Sequence, residues 1–510
     1  MILSSLIENL GLPLVAGDGG LELSDLTDDS RRVSEGCLFI ARDTGDDRWK
    51  TFAADAIERG AAALVVPEAI EVPPGVGLVV GAGEGSGPID QRLAGRLSAR
   101  FFGEPAKRLK LIGITGTNGK TTVATLSQYL LNAAGMKCGL IGTVTIDHGS
   151  SEGPLTAELT TPGAIDLHRH FVEMVKHGCG ACAMEVSSHA LDQGRVDGLE
   201  FEVAVFTNLT QDHLDYHGTM ENYAAAKAKL LGLLSESGVA VVNCEDEGLK
   251  LIELSSVEQD VVLSAVADER GHADASAWPS EMTASGSSAK FEGRWDAFDA
   301  NLPLTGDYNL MNALQALTAA FALVPNAKCD WAQSIANCPP VPGRLERVQT
   351  STAEVHGECP SVLVDYAHTP DALSTVLKTV HPLTKGKLIC VFGCGGDRDR
   401  TKRPKMAAAV AEVADVLFLT SDNPRTEDPR QILSDTEAGV PRGKREALTV
   451  EIDRAMAIES AILRATANDT VLIAGKGHED YQILGNEKIH FDDREQAAAA
   501  LAKWVEQHDS

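Results

Sequence analysis

Apolar residues along the chain fall into two rhythms. Short continuous runs, CLFIA (37–41), AAALVVP (61–67) and VGLVVG (76–81), read as buried strands, and KTFAADAIERGA (50–61) between them reads as a helix. MILSSLIENLGLPLV at the start reads as a short amphipathic helix. VPPGVG (72–77) and GAGEGSGPID (81–90) read as loops. From position 108 the alternation strengthens. KLIGIT (110–115) predicts a strand, and KTTVATLSQYLLNAAG (120–135) a helix with Val123, Leu126 and Leu130 on one face and Gly135 as its stop. ACAMEVSS, FEVAVFTNL and GVAVVNC then predict further strands. After CPPVPGRLERV (338–348) a last series begins: SVLVDYA, KLICVFGC, DVLFLTS and DTVLIAG. Strands interleaved with helices imply mostly parallel sheets.

These patterns place unit boundaries near residues 107 and 345. The expectation is an α/β protein of three domains: 1–107, a small N-terminal α/β unit; 108–345, a central P-loop ATPase unit with a mostly parallel sheet; and 346–510, a C-terminal Rossmann-like unit. A chain of 510 residues exceeds one hydrophobic core. Ligands of such sheets gather at the carboxyl ends of strands. In the last unit those ends are HTPD, GGDRDRTKRP, DNPRTEDP and KGHEDYQ.

Charge narrows the partners. Lys+Arg number 45 against 73 Asp+Glu, a net charge of −28. That disfavours nucleic acid and anionic membranes as partners, and anionic small substrates would need local cations or metal ions. There is no apolar run of about 18 residues and no signal-peptide pattern at the N-terminus, which favours a cytoplasmic protein. Among ten cysteines only Cys179 and Cys182 form a C-x-x-C, read as structural because no second pair stands at zinc spacing.

GITGTNGKTT (113–122) carries the clearest chemistry. It follows a predicted strand and opens a predicted helix, so Gly116, Thr117, Asn118 and Gly119 can bring backbone N–H groups to phosphate oxygens. Lys120 can reach the β/γ-phosphates and the Thr121 hydroxyl a magnesium ion, with Thr122 beside it. Ile114 stands where the general phosphate-loop pattern has glycine.

The off-pattern loop GTNGKTT resembles that of the Mur ligase family, the ATP-dependent amide-forming enzymes of peptidoglycan synthesis. The resemblance continues through DSRRVSEGCLFIA (29–41), LTTP (159–162), MEVSSHALDQGR (184–195), TNLTQDHLDYHGTMENYAAAK (207–227), GDYNLMNALQA (306–316), PGRLE (342–346) and VDYAHTPD (364–371). It implies that Glu185 and His213 are magnesium ligands, although His213 by itself reads equally as a solvated residue in an acidic loop. Lys227, spaced to share a helix face with Tyr223, Leu230, Leu231 and Leu234, is expected to face inward while Lys229 faces solvent. On spacing alone it reads as a snorkelling or carboxylate-paired lysine. The resemblance implies instead a CO2-derived carbamate that binds Mg2+.

The resemblance further implies two Mg2+ ions, ATP as co-substrate, and a UDP-N-acetylmuramoyl-L-alanyl-D-glutamate acceptor lying across the first two units. Ser30, Thr160, Thr161, Ser187, Gln193 and Arg195 match positions that hold that acceptor. Ser30 alone reads equally as a turn serine, and ARDTGDDRW (41–49) departs from the family pattern. Asn309, Asn312, Arg344 and Asp365 match nucleotide positions, although the asparagines also read as helix caps.

In the last unit, Asp422, Asn423, Pro424 and Arg425 form DNPR, which matches the family's motif for meso-diaminopimelate. With Arg398, Gly475 and Glu479 they imply a pocket for an amino acid bearing two carboxylates and two amines. Arg425 supplies a fork for a carboxylate and Glu479 a partner for an ammonium group. The alternative for Arg425 is a surface ion pair with Glu427 or Asp428. The expected protein is a monomer. Rival readings are a lysine-adding relative, a folylpolyglutamate synthetase-like ligase, and a P-loop ATPase switch without ligation.

Overall fold

The structure is a computed structural model, which describes residues 1–43, 45–81, 89–255, 257–267, 271–283, 286–348 and 359–508. Most of the glycine-rich loop expected at 81–90 lies outside the described residues. The α/β class with mostly parallel sheets is borne out. Among the described residues the strands form sheets of five, eleven and six, plus a separate two-stranded hairpin.

The five-stranded sheet runs Leu14–Ala16, Gly77–Val80, Ala63–Val66, Cys37–Ile40, Asp25–Thr27, parallel except for its first pair. Cys37–Ile40 and Ala63–Val66 are buried at every position because helices cover both faces. Leu93 and Leu97 of helix Gln91–Phe101 pack on Leu38 and Val65 from one side. Trp49 and Ala53 of helix Arg48–Glu58 pack on Phe39 and Leu64 from the other.

The central sheet is parallel from Cys138–Ile141 across to Ala275–Thr283, with strand Lys110–Thr115 in its interior. Alternation along that strand sends Ile112 and Ile114 to the core under helices Lys120–Ala133 and Asp307–Leu323. Leu111 faces the opposite core, with Phe171, Met174 and Phe201. Both flanks turn antiparallel. Thr145–Asp147 and Leu155–Thr156 extend one edge, and Gly286–Glu292 and Phe298–Leu302 the other. These flanking strands are too polar, or too short, to stand out in the sequence.

The third sheet runs Glu346–Arg347, Ser361–Asp365, Thr470–Ala474, Leu388–Cys394, Val416–Ser421, Leu448–Val450. Its parallel interior aims three strand ends, at Cys394, Ser421 and Ala474, the same way. The hairpin Tyr481–Leu484/Glu487–His490 packs beside them.

One helix differs from expectation. The segment bearing Lys227 is helical only over Met220–Ala228, then tightens into a 3-10 turn at Leu231–Leu233. Leu234 already belongs to strand Leu234–Asn243, where it pairs with Phe201, so strand pairing overrides the helical spacing of the leucines. Lys227 nevertheless faces inward at 1% exposure, while Lys229 reaches out to Asp192 at 2.7 Å. Cys179 and Cys182 are buried, and neither forms a disulfide.

Candidate active site

The phosphate loop is shaped by backbone that only glycine tolerates. Gly116 has φ +148°, and a Cβ there would lie 1.9 Å from Thr207 Oγ1. Gly119 caps helix Lys120–Ala133 at φ +86°, where a Cβ would meet Asn312 Oδ1 at 2.5 Å. The next strand end braces the loop: Asn118 N donates to Asn208 Oδ1 at 2.8 Å and the Thr117 hydroxyl to Thr210 O at 3.1 Å. Lys120 Nζ folds back onto Gly116 O at 3.0 Å and Thr117 O at 2.8 Å. Burial lowers its pKa, with Glu185 and Asp212 pulling the other way.

A cavity of about 470 Å³ opens above the loop. Thr117 to Thr122, Glu185, His213, Asn309, Asn312, Arg344 and Asp365 line it together, drawn from two of the sheets. Arg344 crosses between them: its Nη2 donates to Thr121 Oγ1 at 3.2 Å and its guanidinium lies 4.5 Å from the Tyr366 ring. The asparagines are not helix caps. Gly306 caps helix Asp307–Leu323, Asn309 Nδ2 donates to Thr305 O at 2.8 Å, and Asn312 Nδ2 lies 3.3 Å from Asn309 Oδ1. Asp365 accepts from Leu345 N at 2.7 Å and Ala367 N at 2.8 Å, which fixes the turn beside Arg344.

Glu185 ends strand Ala181–Glu185 and is 1% exposed. Its oxygens meet Thr143 N at 2.8 Å and the Thr143 hydroxyl at 2.9 Å, a partner that no sequence motif had singled out. His213 sits at φ +53° with Nε2 3.6 Å from Asp212 Oδ2. Burial, then His189 and Lys120, hold its pKa down to about 4 against the pull of Asp212, so the ring is neutral near pH 7 and able to ligate a metal. Among the described residues no three His, Cys, Asp or Glu side chains converge as a ready-made metal site. A carboxylate and a hydroxyl, with phosphate and water as the remaining ligands, suit Mg2+.

Lys227 lies behind the loop. Its Nζ donates to Gly116 O at 2.8 Å and sits 4.5 Å from the Tyr223 ring centre. It neither snorkels nor pairs with a carboxylate. Burial, then the charge of Lys120, pushes its pKa well below the usual lysine value.

Thr160 lies 3.0 Å from Thr143 Oγ1. Thr161 donates to Glu185 O at 2.9 Å and accepts from Ser187 N at 3.0 Å, while Ser187 Oγ caps helix Ser188–Asp192. Arg195 is held by Gln193 Oε1 at 2.6 Å and Thr161 O at 2.8 Å rather than by a carboxylate. These residues flank Glu185. Ser30 is buried in the five-stranded unit, lining neither this cavity nor the next.

That second cavity, about 570 Å³, shares Thr160, His213, Tyr366 and His368 with the first. Arg398, Asp422, Asn423, Arg425, Gly475 and Glu479 line it. Pro424 is buried and directs the turn without lining the cavity. Arg425 has no ion pair with Glu427 or Asp428. Glu427 binds Arg403 and Arg400, and Asp428 caps helix Pro429–Glu437. Instead Arg425 Nη1 donates to Gly396 O at 2.7 Å, and its backbone, at φ +53°, is bridged to the hairpin through Ile483 O at 3.1 Å. The exposed Arg398 donates to Asp397 O at 3.0 Å. The turn's acidic flank therefore anchors other cations and leaves the Arg425 guanidinium with donors to spare. Tyr366 and His368 also line it, and Lys476 lies buried behind Asp422 and Glu479. The sequence signal was their place in YAH and GKG turns after strands.

Comparison with known proteins agrees with this geometry. A model of the Mur ligase middle domain matches residues 114–320, and one of the Mur ligase, glutamate ligase domain matches 343–477. The UDP-N-acetylmuramoyl-L-alanyl-D-glutamate--2,6-diaminopimelate ligase of Synechococcus elongatus is 47% identical over 95% of this chain and 95% of its own length. That of Geobacillus thermodenitrificans is 42% identical over 98% and 99%. A solved ligase structure of the same name aligns over 100% of this chain and 99% of its own, with TM-score 0.66 and 31% identity. A Mycobacterium tuberculosis folylpolyglutamate synthase shares the fold at TM-score 0.59 and 19% identity, covering 79% of this chain and 92% of its own.

Proposed function

The chain belongs to the Mur ligase family, and we propose that it joins meso-2,6-diaminopimelate to UDP-N-acetylmuramoyl-L-alanyl-D-glutamate with cleavage of ATP, a step of peptidoglycan precursor synthesis. The observation that carries this reading is the second cavity, where Arg398, Arg425, Asp422 and Glu479 face a space continuous with the nucleotide cavity. Such a set suits a ligand with carboxylates and ammonium groups at once. Residues 1–107 and 108–345 hold the UDP-linked acceptor between them, with Ser30 toward the nucleotide end and Thr160, Thr161, Ser187, Gln193 and Arg195 toward the peptide. Residues 346–510 hold the amino acid.

The reaction runs in two displacements. The glutamyl side-chain carboxylate attacks the γ-phosphorus of ATP, an O–P bond forms, and ADP leaves. The amine nitrogen of the amino acid then attacks the acyl carbon. A C–N bond forms, the C–O bond to phosphate breaks, and the amine gives up its proton. Gly116 to Thr122 hold the phosphates, Lys120 neutralises charge on the transferred group, and Arg344 and Asp365 orient the nucleotide. Thr121, Glu185, His213 and Lys227 as its carbamate are the residues to hold magnesium. Bound magnesium supplies charge neutralisation between the two anions. The burial of Lys227 supports the carbamate, because an ammonium there has only a carbonyl and a ring as partners. No helix among the described residues is long and apolar enough to cross a membrane.

The test is a ligation assay with ATP, Mg2+ and the UDP-dipeptide, offering meso-diaminopimelate or L-lysine. New amide and ADP should form with diaminopimelate, at a kcat/KM about 100-fold or more above lysine. Equal use of lysine, or ATP cleavage without an amide, would overturn the reading.

A further inference from the structure

Lys476 follows strand Thr470–Ala474 and is 0% exposed, yet it carries a charge-bearing group into the amino-acid cavity wall. Its Nζ lies 3.3 Å from Asn423 Oδ1, 3.4 Å from Glu479 Oε2 and 3.8 Å from Asp422 Oδ1. Asn423 completes the arrangement. Its Nδ2 donates to Glu479 Oε2 at 2.9 Å while its Oδ1 accepts from Ile483 N at 3.0 Å, so the amide has one workable orientation. Asp422 is tied down too, since Gln482 Nε2 donates to its backbone carbonyl at 2.7 Å. The buried Asp422 and the partly buried Glu479 thus share one buried cation. Nothing in the two displacements above uses that lysine.

We propose that Lys476 is a positioning residue for the amino-acid substrate: it holds Asp422, Asn423 and Glu479 as one ammonium-receiving wall opposite Arg425. This rests on the diaminopimelate reading of the cavity. Without a central cation, two carboxylates in a poorly solvated pocket repel, and one takes a proton. A protonated Glu479 cannot attract an ammonium group. Burial and then Asp422 already raise the Glu479 pKa, and Lys476 and the Asn423 amide oppose them. For Asp422, burial is outweighed by Lys476, Arg454, His368 and Arg425, and its pKa is lowered. Tyr366 and Tyr481 are the other titratable groups facing Glu479, and burial raises both beyond the working range. Arg454 lies on the remaining side, bound to Asp493.

The experiment measures steady-state ligation by the full chain against meso-diaminopimelate and against ATP, across about pH 5.5 to 9, for the native protein, Lys476→Met and Glu479→Gln. In Lys476→Met the KM for diaminopimelate should rise about tenfold or more while that for ATP stays within about twofold. The acid limb of kcat/KM for diaminopimelate should move up by about one pH unit or more, because Glu479 then protonates at higher pH. Glu479→Gln should lose that limb. An unchanged diaminopimelate KM in Lys476→Met overturns the proposal, as does equal loss toward both substrates with the limb in place. If Lys476→Met does not fold, Glu479→Gln decides alone, and a native acid limb there overturns it. Failure of the native chain to ligate diaminopimelate would strike the proposed function instead.

Discussion

Lys227 Nζ and the carbonyl of Gly116 lie 2.8 Å apart, which ties helix Met220–Ala228 to the underside of the phosphate loop. Lys120 Nζ reaches the same carbonyl at 3.0 Å from the other side. Two lysines therefore converge on one acceptor, and the charge of Lys120 adds to burial in lowering the pKa of the deeper one.

The first prediction follows from that convergence. Lys227→Ala removes a group behind the loop without touching the cavity wall, so nucleotide binding should survive. Turnover should fall about 100-fold or more. Nucleotide affinity by calorimetry and kcat by ADP release separate the two, and near-native turnover would remove Lys227 from the chemistry.

Arg425→Lys is not a conservative change, because a point ammonium cannot replace a planar fork. The KM for diaminopimelate should rise about 10- to 100-fold with that for ATP unchanged. Steady-state kinetics with each substrate varied in turn checks it.

Gly116→Ala places a methyl group against Thr207 Oγ1, at a φ that alanine rarely adopts. The loop must open to relieve the clash. ATP binding should weaken about tenfold or more, while the melting temperature falls only slightly because the change lies at a strand end. Calorimetric titration with a non-hydrolysable ATP analogue gives the number.

Arg454 and Asp493 are both 0% exposed and form a bidentate pair at 2.7 Å. Arg454→Met strands a buried carboxylate and should cost about 3–5 kcal/mol. The double variant Arg454→Met/Asp493→Leu should recover part of it. Denaturant midpoints of the single and double variants measure the difference.

His168 is 5% exposed, and its Nδ1 has no hydrogen-bond partner. Burial lowers its pKa to about 4. The folded protein therefore binds fewer protons than the unfolded chain between about pH 6.5 and 4, and stability falls as pH falls through that window. Melting temperature should drop between about pH 7 and 5, and the drop should be smaller in His168→Phe. An identical slope in both proteins would assign the acid sensitivity elsewhere.

Much of this was legible in the sequence because strand, turn and helix punctuation coincide with chemistry. Ile112 and Ile114 alternate with Gly113 into the loop, and Val123, Leu126 and Leu130 mark the helix after it, so the position of Lys120 followed from periodicity. The inward aim of Lys227 was also readable, although the leucines that suggested it belong to a turn and a strand. Contacts between distant segments were not readable. Thr143 against Glu185, Arg344 against Thr121 and Lys476 against Asp422 and Asn423 each join residues far apart in the chain, and no local rhythm encodes them. The antiparallel flanks of the central sheet escaped notice because Leu155–Thr156 spans only two residues and Ser287 holds an inward position in Gly286–Glu292.

Gly396 passes so close to the DNPR turn that a Cβ would lie 1.9 Å from Pro424 O, and Gly396 N donates to Asn423 O at 2.9 Å. The two turns are therefore a single moulded part. Transplanting DNPR alone into a relative whose facing turn lacks this glycine would bring the motif without its shape, so an exchange of amino-acid preference between such proteins has to carry both turns together.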